Sequence, residues 1–250
     1  MVCHLLLSCR NNRNLCFDLK KENYHFQEGE ILLFDKPLTW TSFDLVNKVR
    51  YLIKKKLGVK KIKVGHAGTL DPLATGLMVI CVGKMTKQIN SMTNDEKIYE
   101  AKIQLGAWTP SYDAETEVEK EMDVSQIELE DVQKVAESFL GKQEQTPPIF
   151  SAKKIDGVRA YKLAREGKEV EMRKNEIEIF SFDVLSYEAA ILKCRIHCSK
   201  GTYIRSIAHD FGQRLNNLGT LVGLVRTKSG QFELDNALSI EAFEIALNQN

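Results

Sequence analysis

Residues 65–82 read GHAGTLDPLATGLMVICV, a glycine-rich loop that runs directly into a continuous apolar segment. An apolar run of this length between Gly76 and Gly83 is typical of a strand buried in the centre of a sheet. The loop carries one carboxylate, Asp71, and a rigid strand behind it would hold that group at a fixed height, as in a functional site. Taken alone, the loop could equally be a turn in which Asp71 accepts hydrogen bonds from backbone amides ahead of Pro72.

Hydrophobic patterning outside this stretch predicts interspersed strands and helices. Residues 30–36 read as a buried strand stopped by Pro37, and a helix is expected to begin near Thr41 and to end at Gly58. Further predicted elements are a short helix at 84–92, a strand at 99–106, a helix at 131–140, strands at about 177–187 and 190–198, a helix at about 202–215, a strand at 230–234 and a helix at 240–247. Because strands and helices follow no strict βαβ rhythm, the expected fold class is α+β, or mixed α/β.

Length and composition place limits on the class of protein. A chain of 250 residues with 43% apolar content can bury one large core, or one core and a smaller appendage. No apolar stretch approaches the roughly 20 residues of a membrane-spanning helix. The N-terminus lacks a basic region ahead of its short apolar run, so a secretory signal is not expected and the cytoplasm is the predicted location. Residues 1–27 show no period and are predicted to be a mobile leader before a domain at 28–250.

The cysteines show no pattern of a metal site. None of the six is spaced as CxxC. Cys194 and Cys198 alternate with charged residues as in a half-buried strand, which favours reduced structural thiols over metal ligands.

Charge is distributed unevenly along the chain. The net charge is only +1, but no acid occurs between Asp44 and Asp71. The bases in that interval are Lys48, Arg50, Lys54, Lys55, Lys56, Lys60, Lys61 and Lys63. Such a stripe would attract phosphates, although a solvated helix face would show the same charges.

The loop at 65–76 closely resembles the active-site motif of the TruB family of tRNA pseudouridine-55 synthases. Further blocks resemble that family in the same order over residues 29–243. They are Lys36-Pro37, Lys97-Ile98-Tyr99, residues 147–153 with Ala160-Tyr161 and Ala164-Arg165, residues 200–205, and residues 224–227.

The resemblance implies a pseudouridine synthase fold, with a central mixed, mostly antiparallel sheet flanked by helices and an RNA-binding insertion at about 147–171. It implies isomerisation of uridine 55 in the T-loop of tRNA, with Asp71 as the catalytic nucleophile. Arg205 would pair with Asp71 and keep it ionised. Tyr99 would stack on the target base and help to remove a proton late in the reaction. Without the motif, Tyr99 reads as a buried strand aromatic and Arg205 as a surface cation.

The same resemblance implies the residues that bind the substrate. His66 would fill the space left by an extruded uridine, although a lone histidine is more often structural. Tyr203 and Leu224 would form pocket walls. Lys36, Lys87 and Lys153 are also predicted to bind the substrate.

Several positions depart from the family pattern. Ala67 replaces a usual threonine, residues 218–220 replace a glycine-alanine-histidine run, and Val225 replaces the first arginine of a common pair. The short remainder after Leu247 leads us to expect no C-terminal PUA domain. The expected partner is the T-stem-loop of tRNA, bound by a monomer with no cofactor, no metal, no membrane and no obligatory protein partner. The alternatives are an RNA-binding module without chemistry and a guide-RNA-dependent synthase.

Overall fold

A computed structural model describes residues 24–151, 154–155, 158–160 and 172–249. The first 23 residues of the predicted leader and most of the predicted insertion, including Lys153, lie outside the described residues. Within the predicted leader, Phe26 is 1% exposed and stacks on Tyr24 with ring centroids 5.0 Å apart. Two aromatic residues in a polar stretch carry no periodicity that would have indicated this packing.

Most described strands belong to one large sheet. The strands are β1 (Glu30–Lys36), β2 (Val64–His66), β3 (Ala74–Val82), β4 (Lys97–Leu105), β5 (Ala107–Trp108), β6 (Lys120–Glu121), β7 (Gly141–Gln145), β8 (Lys154–Ile155), β9 (Val158–Arg159), β10 (Asn175–Glu188), β11 (Ile191–Cys198), β12 (Gly219–Ser229) and β13 (Phe232–Glu233). The main order is β1-β3-β12-β4-β11-β10-β7, with β2 beside β3 and β13 beside β12. Among the described strands of this sheet, only β3 and β12 pair in parallel. The predicted mixed, mostly antiparallel sheet is therefore confirmed.

Four of the described helices pack on the face of the sheet that carries the main core, and the short helix α2 packs against a second cluster that includes Leu77 and Val79. Those described are α1 (Ser42–Leu57), α2 (Ile89–Thr93), α3 (Leu129–Ser138), α4 (Ile204–Arg214) and α5 (Ile240–Gln249). The bounds predicted for α1 are confirmed: Thr41 and Asp44 form a reciprocal capping box, and Gly58 ends the helix with φ of 64°. In the part of the chain that the structure describes, no helix has the length and apolar character needed to cross a bilayer.

The predicted alternation of β11 is also confirmed. Cys194 and Cys198 are buried free thiols on the core side of the strand. Burial raises the pKa of each thiol to about 12, so both stay protonated at neutral pH and are poor nucleophiles.

Of the seven strands in the main order, β12 and β7 were not predicted from the sequence, and one helix differs from its prediction. The central strand β12 contains Gly219 and Gly223 and two register shifts against β4, which interrupt a period-two pattern. The edge strand β7 has the polar sequence GKQEQ. The helix predicted at 84–92 is a 3-10 turn over Gly83–Gln88 followed by α2.

Candidate active site

The loop that carries Asp71 lies between β2 and β3 and is fixed on both sides of the carboxylate. On one side, the Ser42 hydroxyl donates to the Leu70 carbonyl and accepts from the Leu70 amide, each at 2.9 Å. On the other side, the Thr39 amide donates to the Pro72 carbonyl at 2.9 Å. The loop therefore presents Asp71 from a rigid base.

Arg226 on β12 joins this loop to the sheet. Its side chain is 1% exposed, and its Nε donates to the Leu77 carbonyl at 2.8 Å and its Nη2 to the Gly68 carbonyl at 3.2 Å. Close approach of the two strands requires glycine at position 76, where φ is +101° and a Cβ would lie 2.5 Å from the Arg226 carbonyl oxygen. Loop, β3 and β12 thus form one rigid unit.

Arg205, in the first turn of α4, lies between two carboxylates. Its Nε is 2.9 Å from Asp71 Oδ2 and 3.6 Å from Asp113 Oδ2. The short approach to Asp71 is an ion pair without hydrogen-bond geometry, since the Nε–H forms no hydrogen bond. The Arg205 side chain is 5% exposed and that of Asp71 42% exposed. The cation is therefore buried, and the carboxylate of Asp71 opens outward.

The guanidinium is oriented by carbonyls as well as by the two acids. Nη1 of Arg205 donates to the Phe150 carbonyl at 3.0 Å and to the Ser111 carbonyl at 3.3 Å. These contacts fix the guanidinium beside the two carboxylates, so the positive charge of Arg205 can balance the negative charge of Asp71.

The Asp71 carboxylate opens into a cavity of about 420 Å³. Its walls include Tyr99, Tyr203, Arg205 and Leu224. These residues come from β4, α4 and β12 and from the segment before α4, and the sheet brings them together although they are far apart in the chain. The volume suits a flat heterocyclic base, with aromatic rings available for stacking.

The two tyrosines of the cavity are held in place. Tyr99 is 8% exposed; burial raises the pKa of its hydroxyl, and the nearby Arg226 guanidinium partly opposes that rise. Tyr203 precedes α4, and its amide and carbonyl bond to the side-chain amide of Gln145 at 2.8 and 3.0 Å. Burial also raises the pKa of Tyr203. Both hydroxyls are therefore neutral near pH 7.

This arrangement places a carboxylate, paired with a buried cation, beside a base-sized cavity. Such a group can act as a nucleophile or as a general base.

Comparison with known proteins identifies the family. The profile described as "TruB family pseudouridylate synthase (N terminal domain)" matches residues 54–204. The chain is 52% identical to the tRNA pseudouridine synthase B of Phocaeicola vulgatus over 225 residues, which is 90% of this chain and 96% of the relative.

The chain belongs to the TruB family of pseudouridylate synthases. The tRNA pseudouridine synthase B of Flavobacterium johnsoniae is 46% identical over 223 residues, covering 89% of this chain and 97% of that relative. Pseudouridylate synthases are isomerases, so the enzyme class expected from the sequence is confirmed.

Solved structures agree with the fold of this TruB-family chain. A chain in the crystal structure of a Cbf5–Nop10–Gar1 complex matches with a TM-score of 0.65 and 27% identity over 92% of this chain. A chain in an H/ACA RNP bound to a substrate RNA containing 2'-deoxyuridine matches with a TM-score of 0.62 and 25% identity, again over 92% of this chain. The present chain covers 58% and 57% of those two chains.

The other predicted residues of this TruB-family site that the structure describes, His66, Lys36 and Lys87, are not among the residues that line the cavity. His66 ends β2 and is half-buried; burial lowers the pKa of its imidazole. Lys87 is exposed in the turn before α2. Lys36 is 0% exposed, and its Nζ donates to the carbonyls of Trp40 and Pro72 at 2.6 and 3.4 Å. Lys36 thus bonds to the backbone of the Asp71 loop from the protein interior. That His66, Lys87 and Lys36 bind the substrate stays a prediction.

Two residues of the site were not predicted from the sequence. Asp113, the second acid on Arg205, lies in a polar connection with no recognisable motif. Arg226 stands inside one of the family-like blocks, but its part in holding Gly68 and Tyr99 depends on the parallel pairing of β3 with β12. Only the tertiary structure reveals both.

The buried amine of Lys36 should make stability depend on pH. Burial lowers the pKa of Lys36 to about 8, against the opposing attraction of Asp71 and Asp35. Because the unfolded lysine holds its proton up to a higher pH, the unfolded state binds more protons above about pH 8, and raising the pH there stabilises the folded state. Lys36→Met should lack this pH-dependent stabilisation. The free energy of unfolding of the wild type should therefore rise relative to that of the variant, by about 1 kcal/mol per pH unit at most.

Urea unfolding of both proteins at pH 7.5 and pH 9.5 measures this difference. Lys87→Met is the matched control, because Lys87 is exposed. The prediction would be contradicted if the free energies of unfolding of wild type and Lys36→Met differed by the same amount at both pH values.

Proposed function

We propose that this enzyme converts uridine 55 in the T-loop of tRNA into pseudouridine, with Asp71 as its nucleophile. The observation that carries the proposal is the Asp71 carboxylate, which opens into a cavity of about 420 Å³ while paired with the buried Arg205. The related proteins named above are tRNA pseudouridine synthases B, which supports tRNA as the substrate.

The chemistry needs a nucleophile and proton transfers but adds no atoms. The bond from uracil N1 to the ribose C1′ breaks, the base turns, and a bond forms from C5 to C1′. The C5 proton is lost, and N1 takes up a proton from solvent. Asp71 can attack the base, attack the sugar or accept a proton in an elimination, and each route uses the carboxylate that faces the cavity and pairs with Arg205.

The aromatic walls suit a base that has left its stack. A uridine in a folded loop must be extruded at a cost of a few kcal/mol. Tyr99 lies in the cavity wall, where it would stack on the base. As the family resemblance implies, we assign Tyr99 a part in the late removal of the C5 proton; the Arg226 guanidinium opposes the rise in the Tyr99 pKa that burial causes. His66 would occupy the vacated place in the RNA.

Positive charge near the site would attract the RNA backbone. Lys55 and Lys56 are exposed at the end of α1, and Lys60, Lys61 and Lys63 are exposed in the segment before β2. Together with the predicted insertion at 147–171, this surface would hold the T-stem-loop. We propose that the enzyme acts as a monomer without a cofactor, a metal or an obligatory protein partner.

Tritium release tests the proposal. We expect the purified protein to release tritium from tRNA labelled at uridine C5, and from a T-stem-loop minihelix, at one equivalent per RNA. A minihelix with cytidine at position 55 is the matched control and should release none. Release from another uridine, shown by carbodiimide mapping, would contradict the assignment to position 55. Tight binding of the minihelix without release would favour an RNA-binding module.

A further inference from the structure

Helix α4 holds the loop that carries Asp113 on two successive turns. Arg205 and His209 are four residues apart and share one face of the helix. On the first turn, Arg205 Nη1 donates to the Ser111 carbonyl at 3.3 Å. On the second, the His209 ring stacks on Tyr112, with centroids 4.0 Å apart and planes within 4°. The loop is therefore attached to α4 at Ser111 and at Tyr112.

The backbone at Tyr112 is in a conformation that must be held. Its φ is 62°, in the left-handed region that bulky residues rarely adopt. Such a conformation persists where the surroundings over-determine it, and it is found disproportionately at functional sites. Here the Leu221 amide donates to the Tyr112 carbonyl at 3.0 Å, and the Tyr112 ring lies on His209.

The residue that follows this turn is the second acid on Arg205. Its backbone is fixed, since the Thr109 hydroxyl donates to the Asp113 carbonyl at 2.6 Å. One carboxylate oxygen of Asp113 accepts from the Glu115 amide at 2.9 Å, and the other is 3.6 Å from Arg205 Nε. Because Asp113 directly follows Tyr112, a rotation at Tyr112 moves this carboxylate.

We propose that Tyr112 and His209 are positioning residues of the isomerisation: their ring stack holds Asp113 against Arg205 and thereby fixes the guanidinium on Asp71. The inference rests on the proposed function and assigns residues that contact neither the substrate cavity nor the reacting atoms. The His209 Nδ1 is buried without a hydrogen-bond partner among the described residues, and burial lowers the pKa of the ring. The ring therefore acts as a neutral flat surface, and another aromatic ring should replace it.

The expected result is a loss of rate that an aromatic side chain restores. In single-turnover tritium release at saturating tRNA, His209→Ala should react roughly 10- to 100-fold more slowly, because small misplacements of an active-site group cost that much. The affinity for tRNA should stay within about twofold, since no RNA contact is lost. His209→Phe should react within about threefold of wild type. Tyr112→Gly relieves the backbone strain but removes the ring, and should be as slow as His209→Ala.

A double mutant tests whether His209 acts through Asp113. His209→Ala combined with Asp113→Asn should be no slower than Asp113→Asn alone, since the positioned group is already lost. The matched control is His197→Ala, which removes a strand histidine that packs on Phe180 outside the cavity; its rate should equal that of wild type.

Certain results would overturn the inference. They are a wild-type rate in His209→Ala or Tyr112→Gly, full additivity in the double mutant, or a defect in His209→Ala that His209→Phe leaves unrestored. Failure of the proposed function is distinguishable, because the unaltered protein itself would then release no tritium.

Discussion

Asp71→Asn is expected to abolish tritium release from labelled tRNA while leaving tRNA binding intact. Asparagine matches aspartate in shape but lacks the negative charge that makes the carboxylate a nucleophile or a base. Removal of a nucleophile of this kind costs roughly 10⁴-fold or more in rate. Because the Asp71 side chain is 42% exposed, its substitution should change the unfolding free energy little.

Single-turnover tritium release and filter binding of tRNA measure the two effects separately. Asp183→Asn on β10 is the matched control, since Asp183 is exposed on the sheet and outside the cavity. Tritium release by Asp71→Asn at the wild-type rate would refute the assignment of Asp71. An equal loss in the control would point to a general effect of lost negative charge.

Arg205 variants should show the second-largest effect, on both rate and stability. Arg205→Gln leaves Asp71 and Asp113 facing one another without the cation that lies between them. We expect the rate to fall by about 10²- to 10³-fold, which is typical when a fixed electrostatic partner is removed from an active site. Arg205→Lys keeps the charge but cannot reproduce the fork that also bonds Ser111 and Phe150, so it should rescue little of the rate.

The stability part of this prediction follows from burial. Removal of one partner from a buried ion pair costs about 3 kcal/mol or more. We expect less than that, because Asp71 is half open to solvent, whereas the Asp113 side chain is only 7% exposed. The double variant Arg205→Gln/Asp113→Asn lacks the buried negative charge of Asp113, which has no cation beside it once Arg205 is removed. It should therefore regain part of the unfolding free energy without regaining activity.

Urea unfolding and single-turnover rates measure both expectations. Arg195→Gln is the matched control: Arg195 pairs with Glu100 at 2.9 Å on the exposed face of the sheet, and such a pair contributes at most about 1 kcal/mol. If Arg205→Gln kept the wild-type rate, the charge-pairing role of Arg205 would be wrong. If adding Asp113→Asn lowered the unfolding free energy of Arg205→Gln further, the Asp113 carboxylate would not be an uncompensated buried charge in that variant.

The sequence by itself determined the elements that depend on local chemistry. Residues 77–82 were predicted to form a buried strand because all of them are apolar, and they lie in β3. Helix α1 could be bounded because its signals, the Thr41 capping box and Gly58, are local side-chain and backbone preferences. The motif around Asp71 also identified the family, since the identity of its residues is written in the chain.

Tertiary structure alone decided what surrounds Asp71. Strand β12 escaped prediction because glycines and bulges break its period, yet it is the partner that makes Arg226 a link between loop and sheet. The second acid on Arg205, Asp113, has no local signal, since its role comes from a distance across the fold and not from its neighbours in sequence. Lys36 was predicted from its motif to bind the substrate, but its contact with the Pro72 carbonyl in the interior depends on the fold. Local pattern specifies elements; charge pairing and burial depend on long-range packing, which a sequence pattern does not record.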